Sequence, residues 1–288
     1  EFRSINPKKV ARMNKEEFER KIQESIPDWL DELGEQELGL LWPKEIKALN
    51  EQAKVFLRIN SLKTTKKMLV KAFNDREIET ENIDGFPDAL QLIQRQNIFL
   101  APEFKEGLFE LQDASSQLIG PFMRLEPGMR VIDACAGGGG KSLHIAALMK
   151  NKGRIIAMDV EQWKLNELKK RAKRAGATNI EPRLIDSSKV IKRLINSADR
   201  LLLDVPCSGI GVLKRNPDAK WKLNMDFIDK VKQAQETILN DYCYMVKSEG
   251  IMVYSTCSIL PTENSLQVKK FLENHQNFEF LEEKSILP

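Results

Sequence analysis

The sequence predicts an α/β protein, in which a helical lead-in and a small α+β domain precede a mainly parallel sheet covered by helices. Three patterns support this: apolar residues at helical spacing near the start, short β-rich segments in the middle, and five alternating strand and helix segments towards the end. Strict alternation of strands and helices is typical of a parallel sheet with both faces covered. Ligands of such sheets bind at the carboxyl ends of the strands.

The boundaries follow changes in these patterns. Residues 1–48 contain the helical segment, NKEEFERKIQESIPDWLDELGEQELGLLW, which Pro27 interrupts. Residues 49–124 contain the β-rich pieces VFLRIN, ALQLIQ and GLFELQ around one helix, TTKKMLVKAFND. Residues 125–288 contain the strands RVIDAC, RIIAMD, IEPRLID, RLLLDVPC and GIMVYSTC, each followed by a helical pattern. We therefore expect three segments, of which the last holds the parallel sheet.

Composition limits the classes of protein. The chain has 288 residues, 42% of them hydrophobic, which is enough for one large domain with appendages or for two domains. Its 45 Lys and Arg residues nearly balance 42 Asp and Glu, so any surface for nucleic acid must be a local patch. Four cysteines without a CxxC pair, and only two histidines, argue against a metal site or a disulfide framework. With no apolar run long enough to span a bilayer, we expect a cytoplasmic protein with reduced thiols and no membrane partner.

A glycine-rich turn, DACAGGGGKS, follows the first strand of the parallel sheet. Residues 137–140 are all glycine, which lets the backbone approach a ligand and directs helix amides at it. A connecting turn needs no such run, so ligand binding is the favoured interpretation. A phosphate-binding P-loop would require glycine at position 135, where this chain has Cys135.

Acidic residues end the next two strands. Asp159 lies nineteen positions after Gly140, close to the spacing at which an acid binds ribose hydroxyls, although it could equally cap the following helix. Asp186 could reach an adenine amino group or cap a helix. Acids without a phosphate cradle suit an adenosine group that carries no phosphate. S-adenosylmethionine fits this description better than NAD, which prefers the GxGxxG spacing.

Two cysteines follow apolar strands, Cys207 in LLLDVPCSGI and Cys257 in IMVYSTCSIL. A thiolate beside a methyl donor suggests methylation of cytosine C5, because thiolate addition at C6 makes C5 nucleophilic. Cys135 and Cys243 are more simply explained as buried apolar side chains. The residues alone do not decide which of the two strand-end thiols adds to the base. DNA cytosine methyltransferases attack with the cysteine of a Pro-Cys pair, which in this chain would be Cys207.

Four segments carry a specific family pattern: LQDASSQL, DACAGGGGKS, LLLDVPCSGIGVLKRNPDAKW and VYSTCSILPTENSLQV. From FLRIN to near its end, the chain resembles the RNA cytosine-C5 methyltransferases of the Sun/Fmu (NOL/NSUN-type) family, most closely the bacterial 16S ribosomal RNA branch. The resemblance implies a Rossmann-like methyltransferase domain behind an RNA-binding domain. It also implies that Cys257 is the nucleophile and that Cys207 assists product release.

The resemblance further implies a set of ligand-binding residues. The residues expected to hold S-adenosylmethionine are Cys135, Ala136, Gly137, Gly138, Gly139, Gly140, Lys141, Asp159, Asp186 and Asp204. The residues expected at the RNA are Asp204, at the cytosine edge, Pro206, Lys214 and Arg215. Lys220 and Lys222 flank Trp221 and extend this basic stretch, which could neutralise phosphates and stack a base.

The chain departs from the family pattern in two places. The family usually has CAAPGGK where this chain has CAGGGGK, so Gly137 and Gly138 replace Ala and Pro and we expect weaker cofactor binding. The chain also stops before the final strands that usually complete this sheet, so a truncated or short C-terminus is expected.

One rival class remains from the sequence. A non-catalytic RNA-binding or ribosome-assembly factor could keep the fold and the cofactor pocket, although two cysteines and three strand-end acids argue for a catalyst. A methyltransferase acting on small molecules or proteins would not need the thiol pair. We expect a monomer that binds 16S ribosomal RNA or a small-subunit precursor.

Overall fold

A computed structural model describes residues 18–286 of the chain, so the beginning of the predicted helical lead-in lies outside the described residues. The lead-in helices are α1 (Arg20–Gln23), α2 (Asp28–Leu38) and α3 (Trp42–Leu49). Trp42 is fully buried, and its indole Nε1 donates to Asp31 Oδ1 at 2.7 Å. A Cβ at Gly34 would lie 2.2 Å from the Trp42 ring, so only glycine allows this contact. The apolar sides of α2 and α3 pack against residues that follow the last two strands of the parallel sheet, including Ile210 and Leu260.

The small domain has a four-stranded antiparallel sheet in the order β2-β3-β1-β4. Its elements are β1 (Val55–Ile59), α4 (Lys66–Asn74), β2 (Thr80–Asn82), β3 (Ala89–Leu92), α5 (Pro102–Lys105) and β4 (Phe109–Leu111). Helix α4 begins after Thr65, whose hydroxyl accepts a hydrogen bond from Met68 N at 3.3 Å. The predicted α+β character of this region is confirmed.

Two short helices connect the small domain to a five-stranded sheet. These are α6 (Ala114–Gln117) and α7 (Ile119–Phe122). The elements that follow are β5 (Arg130–Asp133), α8 (Gly140–Leu148), β6 (Arg154–Asp159), α9 (Gln162–Ala175), β7 (Ile180–Leu184), α10 (Ser188–Lys192), β8 (Ala198–Asp204), α11 (Ala219–Lys222), α12 (Met225–Tyr242), β9 (Val246–Ser255) and α13 (Ser265–Asn274).

The five strands pair in parallel in the order β7-β6-β5-β8-β9, which confirms the predicted Rossmann-like architecture. Alternate residues face opposite sides, so Ile132 and Leu201 join one buried cluster while Val131 and Leu202 join another. The chain places β6 and β7 on one side of β5, and β8 and β9 on the other. A ligand crevice is expected at such a switch point, beyond the carboxyl ends of β5 and β8.

Two elements differ in extent from the sequence patterns. Strand β9 starts at Val246, before the apolar run GIMVYSTC, because Val246 pairs with Ala198 ahead of an irregularity in the ladder. The helical pattern after RLLLDVPC runs through Cys243 to Val246, but α12 ends at Tyr242 and Cys243 begins a 3-10 turn, Cys243–Met245. In the part of the chain that the structure describes, no helix combines the length and apolar character needed to cross a membrane.

Candidate active site

The glycine loop, residues 135–141, connects β5 to α8. Gly137 and Gly139 have φ angles of +54° and +84°, a region that favours glycine. A Cβ at Gly139 would lie 2.6 Å from Leu168 Cγ, whereas a Cβ at Gly137 would meet nothing within 4 Å. Gly139 is therefore needed for packing on α9, and Gly137 faces open space at the carboxyl edge of the sheet.

Three side chains in the described part of the structure form hydrogen bonds with the main chain of the glycine loop. Gly137 N donates to Asp159 Oδ2 at 2.9 Å, so the acid that ends β6 supports the turn after β5. Arg171, on α9, donates from Nη1 to Gly138 O at 2.8 Å. Arg58, on β1 of the small domain, donates from Nη1 to Gly140 O at 2.6 Å. The small domain thus contacts the loop directly.

Arg58 is almost completely buried, and burial lowers the pKa of its guanidinium to about 10. It also donates to Gln112. Glu110 beside it is buried and pairs with Arg171 and Arg174 at 2.9 Å and 2.5 Å. This network was not predictable from the sequence, because its members lie far apart in the chain and a single Arg in FLRIN gives no sign of its partner.

Asp133, the last residue of β5, is fully buried. Its Oδ2 accepts a hydrogen bond from Ser142 Oγ at 2.6 Å, while Oδ1 lacks a well-formed hydrogen bond within residues 18–286. Burial raises the pKa of Asp133 to about 7, although the Ser142 hydrogen bond opposes the rise. Asp133 was not among the site residues predicted from the sequence.

A chain of polar contacts connects the glycine loop to the last two strands. Lys141 Nζ lies 2.5 Å from Asp204 Oδ2, and Ser255 Oγ donates to Asp204 Oδ1 at 2.9 Å. Burial lowers the pKa of Lys141, but the charge and hydrogen bond of Asp204 outweigh burial and raise it overall. Because the Asp204 carboxylate balances the charge of the Lys141 ammonium group, this cation is already paired and is not free to bind a phosphate. A site whose lysine is already paired in this way suits an adenosine group that carries no phosphates.

Cys207 and Cys257 lie in the turns that follow β8 and β9, here named the thiol turns (residues 205–210 and 256–260). Both cysteines are free, and their sulfur atoms are 3.2 Å apart. The hydrogen bond from Cys207 lowers the pKa of the Cys257 thiol, an effect that burial opposes and Lys141 reinforces. The same hydrogen bond, together with burial, raises the pKa of Cys207. The pair therefore favours a thiolate at Cys257 next to a protonated thiol at Cys207.

The other two cysteines have different surroundings. Cys243 is buried, donates to Asn240 O at 3.3 Å, and has its pKa raised by burial to about 11. Burial also raises the pKa of Cys135, which packs beside the apolar cluster of the sheet. Both environments agree with a packing role for these thiols.

Glu263 connects the two thiol turns. Its fully buried carboxylate accepts hydrogen bonds from Ser208, the residue after Cys207, and from Ser258, the residue after Cys257. This role of Glu263 was not among the predictions from the sequence. A usable signal was present, since both turns read Cys-Ser and an acid follows shortly after the second turn.

The remaining ligand-binding residues are less closely grouped. Asp159 is buried and accepts from Glu161 N as well as Gly137 N, so it supports the start of α9. Asp186 is exposed just beyond β7 and accepts from Ser187 Oγ at 3.0 Å. Ala136 is buried and Pro206 is exposed.

The basic stretch after Cys207 is only partly available as a surface for phosphates. Lys214 is half-exposed, whereas Arg215 pairs with Asp113 and donates to Lys54 O at 3.0 Å. The prediction that Lys220 lies on this surface is wrong. Its side chain is buried and donates to Glu24 O and Asn50 Oδ1. Lys222 pairs with Asp218, and Trp221 is exposed. Lys220 belongs to the packing of the lead-in helices against the sheet domain.

Comparisons with known proteins agree with this architecture. A "probable ribosomal RNA small subunit methyltransferase B" from Synechocystis sp. is 37% identical over 259 residues, covering 89% of this chain and 58% of that protein. A protein of the same description from Bacillus subtilis is 37% identical over 224 residues, covering 77% of this chain and 50% of that protein. The chain thus spans about half the length of these curated relatives. The crystal structure of a methyltransferase homolog protein from Pyrococcus horikoshii has 27% identity and a TM-score of 0.78, covering 94% of this chain and 83% of that chain.

Two family models match separate parts of the chain. One, described as the RsmF/B-like ferredoxin-like domain, matches residues 26–99, which include most of the small antiparallel sheet. The other, described as 16S rRNA methyltransferase RsmB/F, matches residues 122–286, more than half of the chain, and covers the parallel sheet with both thiol turns. The chain therefore belongs to the RsmB/F family of 16S rRNA methyltransferases.

Proposed function

We propose that this chain methylates cytosine C5 in RNA, with 16S ribosomal RNA as the substrate and S-adenosylmethionine as the methyl donor. The observation that carries the proposal is the pair of free thiols, 3.2 Å apart, in adjacent turns at the carboxyl edge of the sheet. Membership of the RsmB/F family supports the choice of ribosomal RNA. A methyltransferase that acts on an already nucleophilic oxygen or nitrogen needs no such pair.

The two thiols have separate roles in the proposed reaction. The Cys257 thiolate adds to C6 of the cytosine, which turns C5 into an enamine-like carbon able to take a methyl group. Loss of the C5 proton to a water molecule then re-forms the C5–C6 double bond as the bond between C6 and the Cys257 sulfur breaks, which releases Cys257 as a thiolate. Cys207, in contact with the Cys257 sulfur, assists this release. The lowered pKa of Cys257 supports this division of roles over the reverse one.

The glycine loop and the strand-end acids are proposed to hold the methyl donor. Its binding residues would be the backbone of residues 135–141 with Asp159, Asp186 and Asp204. When bound, S-adenosylmethionine supplies a methyl group attached to a positively charged sulfur. The open space at Gly137 and the neutralised Lys141 are consistent with a ligand whose adenosine carries no phosphates.

The RNA is proposed to approach over the thiol turns. Asp204, fixed between Lys141 and Ser255, would accept a hydrogen bond from the cytosine edge, and Pro206 would contact the base. Lys214 and Arg215 would lie along the RNA backbone. The target base must leave its stack before C6 can reach Cys257, so loops of the RNA are easier substrates than helices.

Separate alanine substitutions of the two thiols test the proposal. With 5-fluorocytosine RNA and S-adenosylmethionine, the unmodified protein should form a covalent adduct that survives denaturing electrophoresis. Cys257→Ala should form none, while Cys207→Ala should accumulate an adduct even with ordinary cytosine RNA. Cys243→Ala, a buried thiol at the end of α12, is the matched control and should behave as the unmodified protein.

Two results would contradict the proposal. An adduct that persists in Cys257→Ala would show that Cys257 is not the attacking thiol and would assign the attack to Cys207. If the unmodified protein transferred no labelled methyl group from S-adenosylmethionine to small-subunit RNA, a non-catalytic RNA-binding or assembly factor would be favoured.

A further inference from the structure

The carboxylate of Glu263 lies at the junction of three separate segments. Its Oε2 accepts from Ser208 N at 2.8 Å and from Gln235 Nε2, on α12, at 2.9 Å. Its Oε1 accepts from Ser208 Oγ at 2.5 Å and from Ser258 Oγ at 2.6 Å. The two serine hydroxyls also lie 3.1 Å apart. One buried anion is thus shared by the residues that directly follow the two cysteines.

We infer that Glu263 is a positioning residue that keeps the Cys207 and Cys257 sulfur atoms in contact. This inference deepens the proposed function and rests on it for its meaning in catalysis. It concerns a residue that forms no hydrogen bond with either sulfur in the described part of the chain, and that binds the amide and hydroxyl of Ser208 and the hydroxyl of Ser258.

The physical basis is the cost of moving a buried charge away from its hydrogen bonds. Within residues 18–286 no Lys or Arg forms an ion pair with Glu263, and the partners of its carboxylate are the neutral donors of Ser208, Gln235 and Ser258. Hydrogen bonds to charged groups are short and stronger than neutral ones. Displacement of either turn would leave at least one carboxylate oxygen without a hydrogen-bond donor in the protein interior, which is strongly unfavourable. The turns therefore hold their relative position.

Glu263 is itself held in place. The hydroxyl of Tyr254, on β9, donates to Glu263 O at 2.7 Å, and the residue ends the 3-10 turn Pro261–Glu263. Gln235 also donates to Pro206 O at 2.9 Å, next to Cys207. Strand β9, helix α12 and the turn after β8 thus all contact one residue, β9 at its main-chain carbonyl and the other two at its side chain.

Glu263 acts on Cys257 in two opposed ways, which makes its role measurable. By holding Cys207 as a hydrogen-bond donor, it supports the largest influence that lowers the pKa of Cys257. Its negative charge, a smaller influence, raises the pKa of the same thiol. Removing the charge without loss of position would lower the pKa of Cys257, whereas loss of position would raise it. The direction of the change separates the two roles.

Glu263→Gln is the informative variant, because the amide keeps the size of the side chain but brings an NH2 group against donors. The measurement is the pH profile of Cys257 alkylation by iodoacetamide, followed by mass spectrometry, in the protein without RNA or cofactor. We expect the profile to shift to higher pH, towards that of an ordinary cysteine. The rate of adduct formation with 5-fluorocytosine RNA should fall about 10- to 100-fold, as is typical when reacting groups lose their alignment.

Glu37→Gln is the matched control. Glu37, on α2, accepts from Thr262 N and Thr262 Oγ1, so it binds the residue next to Glu263 without contacting either thiol turn. Its alkylation profile should match that of the unmodified protein. An equal shift in Glu37→Gln would contradict the inference, because the effect would then come from the turn in general.

The double substitution Ser208→Ala with Ser258→Ala covers the case in which Glu263→Gln does not fold. It removes two hydroxyl donors while the carboxylate stays, and it should shift the alkylation profile in the same direction. An unchanged profile, or a shift to lower pH, in a folded variant would overturn the inference. Failure of the proposed function would be seen separately, as an unmodified protein that forms no RNA adduct.

Discussion

The glycine loop and the thiol turns lie at the same edge of the sheet but are held in different ways. The glycine loop offers one amide to Asp159 and two main-chain carbonyl groups to arginines from other elements, Arg58 and Arg171. The thiol turns offer amide and hydroxyl donors, and a single carboxylate, Glu263, accepts from both. The first arrangement connects the loop to the small domain, and the second connects two strands of one sheet. The positions of the two loops therefore depend on different parts of the chain.

Two of the buried carboxyl groups near these loops differ in how their oxygens are satisfied. Donors from three segments satisfy both oxygens of Glu263, whereas Asp133 has one oxygen without a well-formed hydrogen bond in the described part of the chain. Burial without sufficient donors disfavours the charged form of a carboxyl group. The glycine loop is thus expected to respond to pH through Asp133.

The largest expected effect is on the pH dependence of stability through Asp133. Its pKa is raised from 3.8 to about 7 in the folded protein, so its stabilising contribution is complete below pH 3.8 and is lost as pH rises through about 7. Replacing Asp133 by Asn should remove this loss, which amounts to up to about 4 kcal/mol across that range. Urea unfolding at several pH values between 4.5 and 7.5 measures it. Parallel curves for the two proteins would show that Asp133 does not titrate in this range.

The next largest effect is expected at the support of the glycine loop by the small domain. Glu110→Ala would leave Arg171 and Arg174 without their shared partner beside the buried Arg58. Because each of these two arginine side chains is only about a fifth exposed, the free energy of unfolding should fall by about 3 kcal/mol, in the range for a broken buried pair.

Glu181→Ala is the control for that substitution. Glu181 also pairs with two arginines, Arg154 and Arg183, but at a more exposed position on β7. Its removal should lower the free energy of unfolding by less than about 1 kcal/mol. Equal losses in the two variants, measured by urea unfolding, would mean that burial of Glu110 does not strengthen its ion pairs.

The sequence was sufficient to predict the elements that carry the site. Alternating strands and helices predicted a parallel sheet, and parallel strands bring their carboxyl ends to one edge. That rule is enough to expect Asp159, which ends β6, and Cys207 and Cys257, which follow β8 and β9, near a common crevice. The glycine loop was recognisable because four successive glycines are uncommon between a strand and a helix.

The supporting contacts could not be predicted in the same way. Arg58 and Gly140 are 82 positions apart, and the pairing depends on how the small domain packs against α8 and α9. Lys220 stands in a basic stretch that is typical of an exposed surface, yet the lead-in helices cover it. Periodic patterns report which face of an element is buried, but they carry no information about which distant element covers it.

The smallest expected effect is the difference in free energy of unfolding between alanine substitutions at two glycines of the same loop. Ala at Gly137, the residue that the family usually has there, should lower the free energy of unfolding by about 1 kcal/mol, since its φ is positive but its Cβ has space. Ala at Gly139 should lower it by about 2 kcal/mol, because its Cβ would also press on Leu168. Thermal or urea unfolding of the two variants measures the difference. If Gly137→Ala were the more harmful, steric contact with α9 would not determine the shape of the loop, and the contacts of Gly137 N with Asp159 would have to be its main constraint.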